Sequence, residues 1–316
     1  MRIAIVGAGM AGLALCRIFS KRKEIEVTLF DAKGIGLGAS GVSTGLLHPF
    51  PGKHANLSRD GEAAFLESLQ FLEDVETESG KKVHQRCGIF RPAIREEQKR
   101  DFMKNQIEGL SCWKEDVLFG SGLGSGLWIP KGTVVFMRSY LLALWDLVQK
   151  EGVKFQQKNI TSLSELSLFD HVIVTAGYET QNIAECKKLH LSKIKGQALL
   201  CRTTQPLSFA LASHGHISPT EDPQLVLVGS TYERNFSSPD PDPVVALQLL
   251  QQVASFYQEA LHFEVIQVLS GVRISHPNRH QPIVEKIGKN GIVFTGLGSR
   301  GLLYHVFFAK KVAEMI

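Results

Sequence analysis

Cysteine is scarce in this sequence of 316 residues: five, at Cys16, Cys87, Cys112, Cys186 and Cys201, far apart and forming no C-x-x-C pair. An odd, dispersed set excludes a disulfide framework and a cysteine zinc site, and it fits a reducing cytosol. No metal-ligand spacing stands out elsewhere, so no metal is expected. No run approaches the roughly 20 apolar residues that span a bilayer, so no membrane partner is expected either. Charge is nearly balanced, 35 basic against 31 acidic residues for a net of +4. That surplus is too small to argue nucleic-acid binding by itself. Internal repeats and low-complexity tracts are missing. With 44% apolar and 21% charged residues, fibrous, collagenous and disordered classes drop out, leaving a globular chain of one or two domains.

What is present begins at the first residues. Met1 to Val6 could open a secretory leader, yet Gly7, Gly9 and Gly12 follow, and then a cationic cluster from Arg17 to Lys23. Strand, turn and helix explain this better than a cleavable leader, so a cytoplasmic location is expected. Arg2 to Val6 has the apolar, β-branched character of a buried parallel strand. It runs into Gly7-Ala8-Gly9-Met10-Ala11-Gly12, a complete G-x-G-x-x-G, and a helical apolar pattern at Leu13, Leu15, Cys16, Ile18 and Phe19. A second strand, Ile25 to Phe30, ends at Asp31.

Each part has a physical task. Gly7 allows the tight turn, Gly9 lets backbone approach a pyrophosphate, and Gly12 permits close packing of helix on strand. The helix N-terminus offers free N–H groups and a positive dipole end to phosphates. Asp31 is placed to accept hydrogen bonds from a ribose diol, and its charge disfavours a 2′-phosphate. The competing reading is a glycine-rich βαβ unit with no ligand.

Beyond it, the loop from Lys33 to Lys53 is dense in Gly, Ser, Pro and His. A helix is expected over 57–78, with Ala64, Phe65, Leu69, Leu72 and Val75 on one face, and a charged helix over 95–107. Gly120 to Gly126 reads as a flexible loop. A helix at 138–150 and a strand at 153–156 precede a buried strand, Asp170 to Val174, which runs into Thr175-Ala176-Gly177. Short antiparallel strands are expected between 193 and 230, then a helix at 243–261 and strands at 264–273, 282–287 and 291–295. Gly296 to Gly301 opens a terminal helix. The order predicts an α/β fold: a discontinuous Rossmann-like dinucleotide domain (1–85, 136–190 and 270–316) with an inserted, mainly antiparallel α+β substrate domain (86–135 and 191–269).

This arrangement resembles the FAD-dependent D-amino-acid-oxidase/glycine-oxidase superfamily over nearly the whole chain. Gly7 to Gly12 with Asp31 is similar to its ADP-binding unit, and Gly38-Ala39-Ser40-Gly41 with Gly45 to the loop passing pyrophosphate and flavin. Val172 to Gly177 resembles the second FAD strand, Lys195-Gly196-Gln197 the (R/K)-G-Q segment, and Gly271-Val272-Arg273 the G-x-R segment whose arginine holds the substrate carboxylate. Within the superfamily the likeness is greatest to the oxidoreductase domain of MnmC-type tRNA wobble-uridine modification enzymes. It is carried by Gly41 to Pro49, by Gly229-Ser230-Thr231-Tyr232 with Phe236 and Pro239, and by Gly296 to Leu302. Two features depart from that pattern: Val42, Ser43 and Thr44 differ from the polar residues usual there, and, with Met1 opening directly on the first strand, the usual partner methyltransferase domain is expected to be absent.

The resemblance implies FAD held by Gly7, Gly9, Met10, Ala11, Gly12, Asp31, Ala39, Ser40, Gly45, Ala176, Gly177, Gly298, Ser299, Arg300, Gly301 and Leu302. It implies oxidation of a C–N bond, with the flavin taking a hydride from the carbon beside a secondary amine and water hydrolysing the imine. In the MnmC-type reaction the carboxymethyl arm of a tRNA carboxymethylaminomethyluridine leaves as glyoxylate, so tRNA is an expected partner, with a separate methyltransferase acting on the same tRNA. Arg273 would clamp the carboxylate, against the reading of a strand-edge surface arginine. Tyr232 would lend a hydroxyl, against the reading of a core tyrosine. The start of the last helix would stabilise negative charge developing on the flavin. The basic residues Lys187, Lys188, Lys310, Lys311, Arg95, Lys99, Arg100 and Lys104 read as solvated faces or as a tRNA track. His48, His54, His276 and His280 receive no role, because amine oxidation needs only a neutral amine. The alternatives are an oxidase or dehydrogenase of free glycine, sarcosine or a D-amino acid, a non-catalytic flavoprotein and, more weakly, an NAD-dependent dehydrogenase.

Overall fold

A computed structural model describes every residue from Met1 to Ile316. Six helices punctuate the chain: α1 (Met10–Ser20), α2 (Gly61–Ser79), α3 (Glu96–Lys104), α4 (Met137–Lys150), α5 (Pro243–Ala254) and α6 (Gly301–Ala313).

The first strand, Arg2–Val6, lies inside a six-stranded sheet. The order is Ile283–Ile287, Gly291–Thr295, His171–Val174, Arg2–Val6, Glu26–Asp31, Lys154–Gln157, parallel except for the Ile283–Ile287 edge. A strand buried on both faces needs apolar residues at consecutive positions, and Ile3, Ala4 and Ile5 are fully buried. Ile3 and Ile5 pack into the core that contains α1, α2, α4 and α6, whereas Ala4 and Val6 pack on the opposite side with Leu163, Leu166 and Ile183.

An eight-stranded sheet follows the order Glu264–Ser275, Ser192–Arg202, Leu225–Gly229, His216–Pro219, Ala210–Ala212, Ile89–Pro92, Gly122–Ile129, Cys112–Phe119. Its neighbours are antiparallel, save for Ala210–Ala212 beside Ile89–Pro92. One face is covered by α5, whose Ala246, Leu249 and Val253 meet Leu199, Val226 and Val228. Asp242 caps that helix by accepting the Val244 and Val245 N–H groups, and Pro243 occupies its first turn. A small ribbon of Leu46–Leu47, Thr133–Val135 and His84–Gln85 completes the sheets.

The expected α/β class, a Rossmann-like parallel sheet joined to a mainly antiparallel α+β layer, is what the chain forms. Four local expectations change. Gly120 to Gly126 is not a flexible loop: Gly122–Ile129 pairs with Cys112–Phe119 in a hairpin. Its glycines leave room for the Phe119 ring, which a Cβ on Gly124 would meet at 2.9 Å. The helix expected from 57 begins at Gly61, because Asp60 takes φ 53° and the Ser58 N–H is drawn to Pro49 O. The charged helix shortens to α3. The segment 243–261 divides into α5 and a 3₁₀ turn, Gln258–His262.

Candidate active site

At the carboxyl end of Arg2–Val6, the glycine turn is fixed by its backbone. A Cβ on Gly12 would stand 1.9 Å from Gly7 O, so no larger residue fits between α1 and the strand. The Gly7 N–H donates to Phe30 O at 2.7 Å. Thr175, missed in the sequence although it directly precedes Ala176, donates its hydroxyl to Val6 O and Gly7 O, both at 3.0 Å. Asp31 sits where the second strand ends. Its Oδ2 accepts the Ala8 N–H at 2.8 Å, and its Oδ1 accepts those of Lys33 and Gly34 at 2.8 and 2.9 Å. A carboxylate has about four lone-pair directions, so Asp31 shapes this turn and still has acceptor capacity.

Three further segments converge on the start of α1. Gly9, the residue before that helix, brings no capping side chain; Ser40 from the 34–45 loop accepts the Met10 N–H at 3.1 Å. The same loop carries Ala39, which lies against Gly271, and Gly45, which packs on Val135 O. Gly301 opens α6 directly against Met10: a Cβ there would lie 2.9 Å from Met10 Sδ. The N-termini of α1 and α6 therefore meet, with Ala11 and Leu302 buried beside them. Gly298, Ser299 and Arg300 form the 3₁₀ turn that leads into α6. Ala176 and Gly177 follow the adjoining strand His171–Val174 and open another such turn.

Arg273 projects from Glu264–Ser275 in the eight-stranded sheet. Its strand ends beside the α6 turn, where Ser275 bridges Leu297. The guanidinium lies over Gly196, where a Cβ would come within 2.7 Å of Nη2, and it donates to Thr231 O at 3.1 Å. No carboxylate of the chain pairs with it, and burial opposes its charge. Tyr232 is 58% exposed, so the core-tyrosine alternative falls. Its ring centroid is 5.9 Å from the Arg273 guanidinium and 5.5 Å from that of Arg234.

Sequence reasoning also missed His216. Its Nε2 lies 2.5 Å from Thr44 Oγ1, while Ser218, two residues on, donates to Thr44 O at 2.8 Å. Alternation along His216–Pro219 puts both side chains on the face opposite Ile217, which packs towards α5. The strand thus grips the 41–45 loop. Burial, reinforced by the Arg273 charge, pushes the His216 imidazole down to about 4. His48 is pushed to about 3 by burial, then by Arg91 and His216. Both rings are neutral near pH 7. The stretch Ser213-His214-Gly215-His216-Ile217-Ser218 forms no motif, so nothing in it signalled the Thr44 contact.

The family model described as FAD dependent oxidoreductase (DAO) matches residues 2–315. The chain belongs to this family. FAD is therefore its cofactor, and the donor set fits: backbone N–H groups at two helix starts and a carboxylate at the second strand end, as a dinucleotide requires. Among curated proteins, the chain is 25% identical over 376 residues to the bifunctional tRNA 5-methylaminomethyl-2-thiouridine biosynthesis protein MnmC of Vibrio cholerae, covering 99% of this chain and 55% of that protein. It is 23% identical over 286 residues to MnmC of Campylobacter jejuni, covering 86% and 44%. The chain spans about half the length of these relatives. Among solved structures, glycine oxidase from Geobacillus kaustophilus superposes with TM-score 0.84 at 19% identity, covering 99% of this chain and 94% of that one. Iminodiacetate oxidase from Chelativorans superposes at 0.82 with 17% identity, covering 99% and 94%. At such identities the likeness establishes the fold. No helix is long and apolar enough to cross a membrane.

Proposed function

We propose that this flavoenzyme oxidises the C–N bond of a secondary amine bearing a carboxylate. The reading extends to MnmC-type removal of the carboxymethyl group from a wobble carboxymethylaminomethyluridine in tRNA. One observation carries the carboxylate: Arg273 is half-buried beside the start of α6 with no acidic partner of its own. Partial burial opposes an unpaired charge, and an incoming carboxylate relieves that cost. The tRNA part rests on the MnmC relatives, which match this chain over most of its length.

When bound, FAD supplies acceptance of a hydride from carbon. The rest falls to the protein. Gly7, Gly9, Met10, Ala11, Gly12, Asp31, Ala39, Ser40, Gly45, Ala176 and Gly177 would hold the adenosine and pyrophosphate end, using backbone donors and the α1 dipole. Gly298, Ser299, Arg300, Gly301 and Leu302 would present the α6 N-terminus to the ring, where negative charge develops on reduction. Arg273 fixes the carboxylate and so aims the adjacent C–H bond. Tyr232, exposed over that guanidinium, covers the bound arm with its ring or hydroxyl. Residues 1–85, 136–190 and 270–316 serve FAD and residues 86–135 and 191–269 serve substrate, with the strand end that carries Arg273 shared between them.

Anaerobic bleaching of the flavin tests this reading with glycine, sarcosine, D-alanine and carboxymethylaminomethyl-containing tRNA offered in turn. Rapid bleaching by the tRNA is expected, with glyoxylate released. Rapid bleaching by a free amino acid and none by tRNA would end the tRNA assignment.

A further inference from the structure

We propose that His54, Glu97 and Asp101 form a divalent-cation site, suited to zinc, where the loop after Phe50 meets α3. Each residue offers one ligand atom, and the three atoms lie within 4.8 Å of one another. None of the three belongs to the flavin or Arg273 region, so the inference stands apart from the proposed activity.

The donor set is specific. Glu97 and Asp101 are four residues apart on α3 and so share one face of the helix. His54 comes from the loop to complete a triangle, with Nδ1 2.5 Å from Asp101 Oδ2. Two carboxylates held this closely repel each other, yet the protein brings no lysine or arginine to them: the ion pairing of Asp101 stops at His54, and Glu97 has none. One imidazole with two carboxylate oxygens is a set that zinc accepts, leaving a position for water.

The ligands are also fixed in place by groups that are not ligands. Buried Arg91 donates to Phe50 O and Gly52 O, both at 2.5 Å, on one side of His54. Asn105, just past α3, donates to His54 O and Asn56 Oδ1, both at 2.8 Å, on the other. Ala55 is fully buried. The loop is therefore held against α3 before any ion arrives, which lowers the ordering cost of binding. His54 is 39% and Asp101 31% exposed at the side chain, so an ion has a route in.

The test is isothermal titration of the FAD-loaded, chelator-treated protein with zinc chloride, paired with thermal melting. One saturable equivalent per chain and a raised melting midpoint are expected. His54→Ala and Asp101→Asn should each weaken binding at least ~10-fold, since losing one of three ligands removes a large share of the affinity. Glu97→Gln, a conservative change, serves as the second variant if His54→Ala disturbs the loop; an unchanged zinc-free melt shows that it does not. The proposal is overturned if no single saturable equivalent binds below about 1 mM zinc. It is equally overturned if zinc binds but all three variants bind it as tightly, which would place the metal on a thiol such as Cys112.

Discussion

The carboxyl ends of the six-stranded sheet and the Arg273 side of the eight-stranded sheet hold their chemistry in different ways. The first uses backbone: the Gly7–Gly12 turn, the α1 start and the α6 start abut so closely that a single added carbon would collide. The second uses side chains, with Arg273 over Gly196, Tyr232 beside it, and His216 bonded to Thr44. Substitutions in the first therefore act chiefly through volume, and substitutions in the second chiefly through charge and hydrogen bonding. That contrast sets the expected consequences of substitution.

The largest effect belongs to Gly12→Val. Its Cβ has no space beside Gly7 O, so the purified protein should lack the flavin absorbance band and resist reconstitution. A yellow Gly12→Val protein would break the comparison at its first term. Next comes Arg273→Gln, which keeps much of the volume and removes the charge. Flavin content should stay at the wild-type level, while kcat/KM for the carboxylated amine falls ~10²–10³-fold, about 3–4 kcal/mol.

Acid should act through one buried imidazole, His305, and two half-buried ones, His48 and His216. His48, His216 and His305 sit at about 3, 4 and 4, with burial as the leading cause in each. These folded values lie below the ordinary 6.5, so the unfolded chain takes up protons first. Stability is then full above about pH 6.5 and declines as pH falls toward 4, by about 1.4 kcal/mol per pH unit for each ring. Urea melts at pH 7 and pH 5 would show the decline. His216→Gln should flatten its slope by about one proton's share, and an unchanged slope would contradict the assignment of a neutral His216.

Gly196→Ala is subtler. The added methyl presses on the Arg273 guanidinium, so KM should rise ~10-fold, as expected for a misplaced binding group, with flavin retained. Tyr232→Phe is the smallest. An exposed ring keeps its covering role, and a change below ~5-fold in kcat/KM is expected from the hydroxyl alone.

The same contrast explains what could be read before the fold was known. The parallel sheet and its turn were legible because backbone approach leaves a trace: glycines at fixed spacing, between an apolar strand and a helical pattern, with Asp31 closing the unit. Arg273 is singled out in the sequence by the G-x-R motif alone, and its role is the one proposed above. His216 and Thr44 were not, since they are 172 residues apart and meet only through the register of His216–Pro219 with Leu225–Gly229. The Gly120–Gly126 segment misled for a related reason. Glycine without a packing partner in view reads as a loop, and the partner was the Phe119 ring on the facing strand.

The most direct measurement pairs anaerobic flavin bleaching by a carboxymethyl-bearing amine with bleaching by its uncharged amide. The wild-type protein should be reduced by the acid at least ~10²-fold faster than by the amide, as loss of a buried charge pair implies, and Arg273→Gln should erase that preference while remaining yellow. Equal rates with acid and amide in the wild type, or a preference that survives Arg273→Gln, would contradict the division between a backbone-held cofactor and a charge-held substrate.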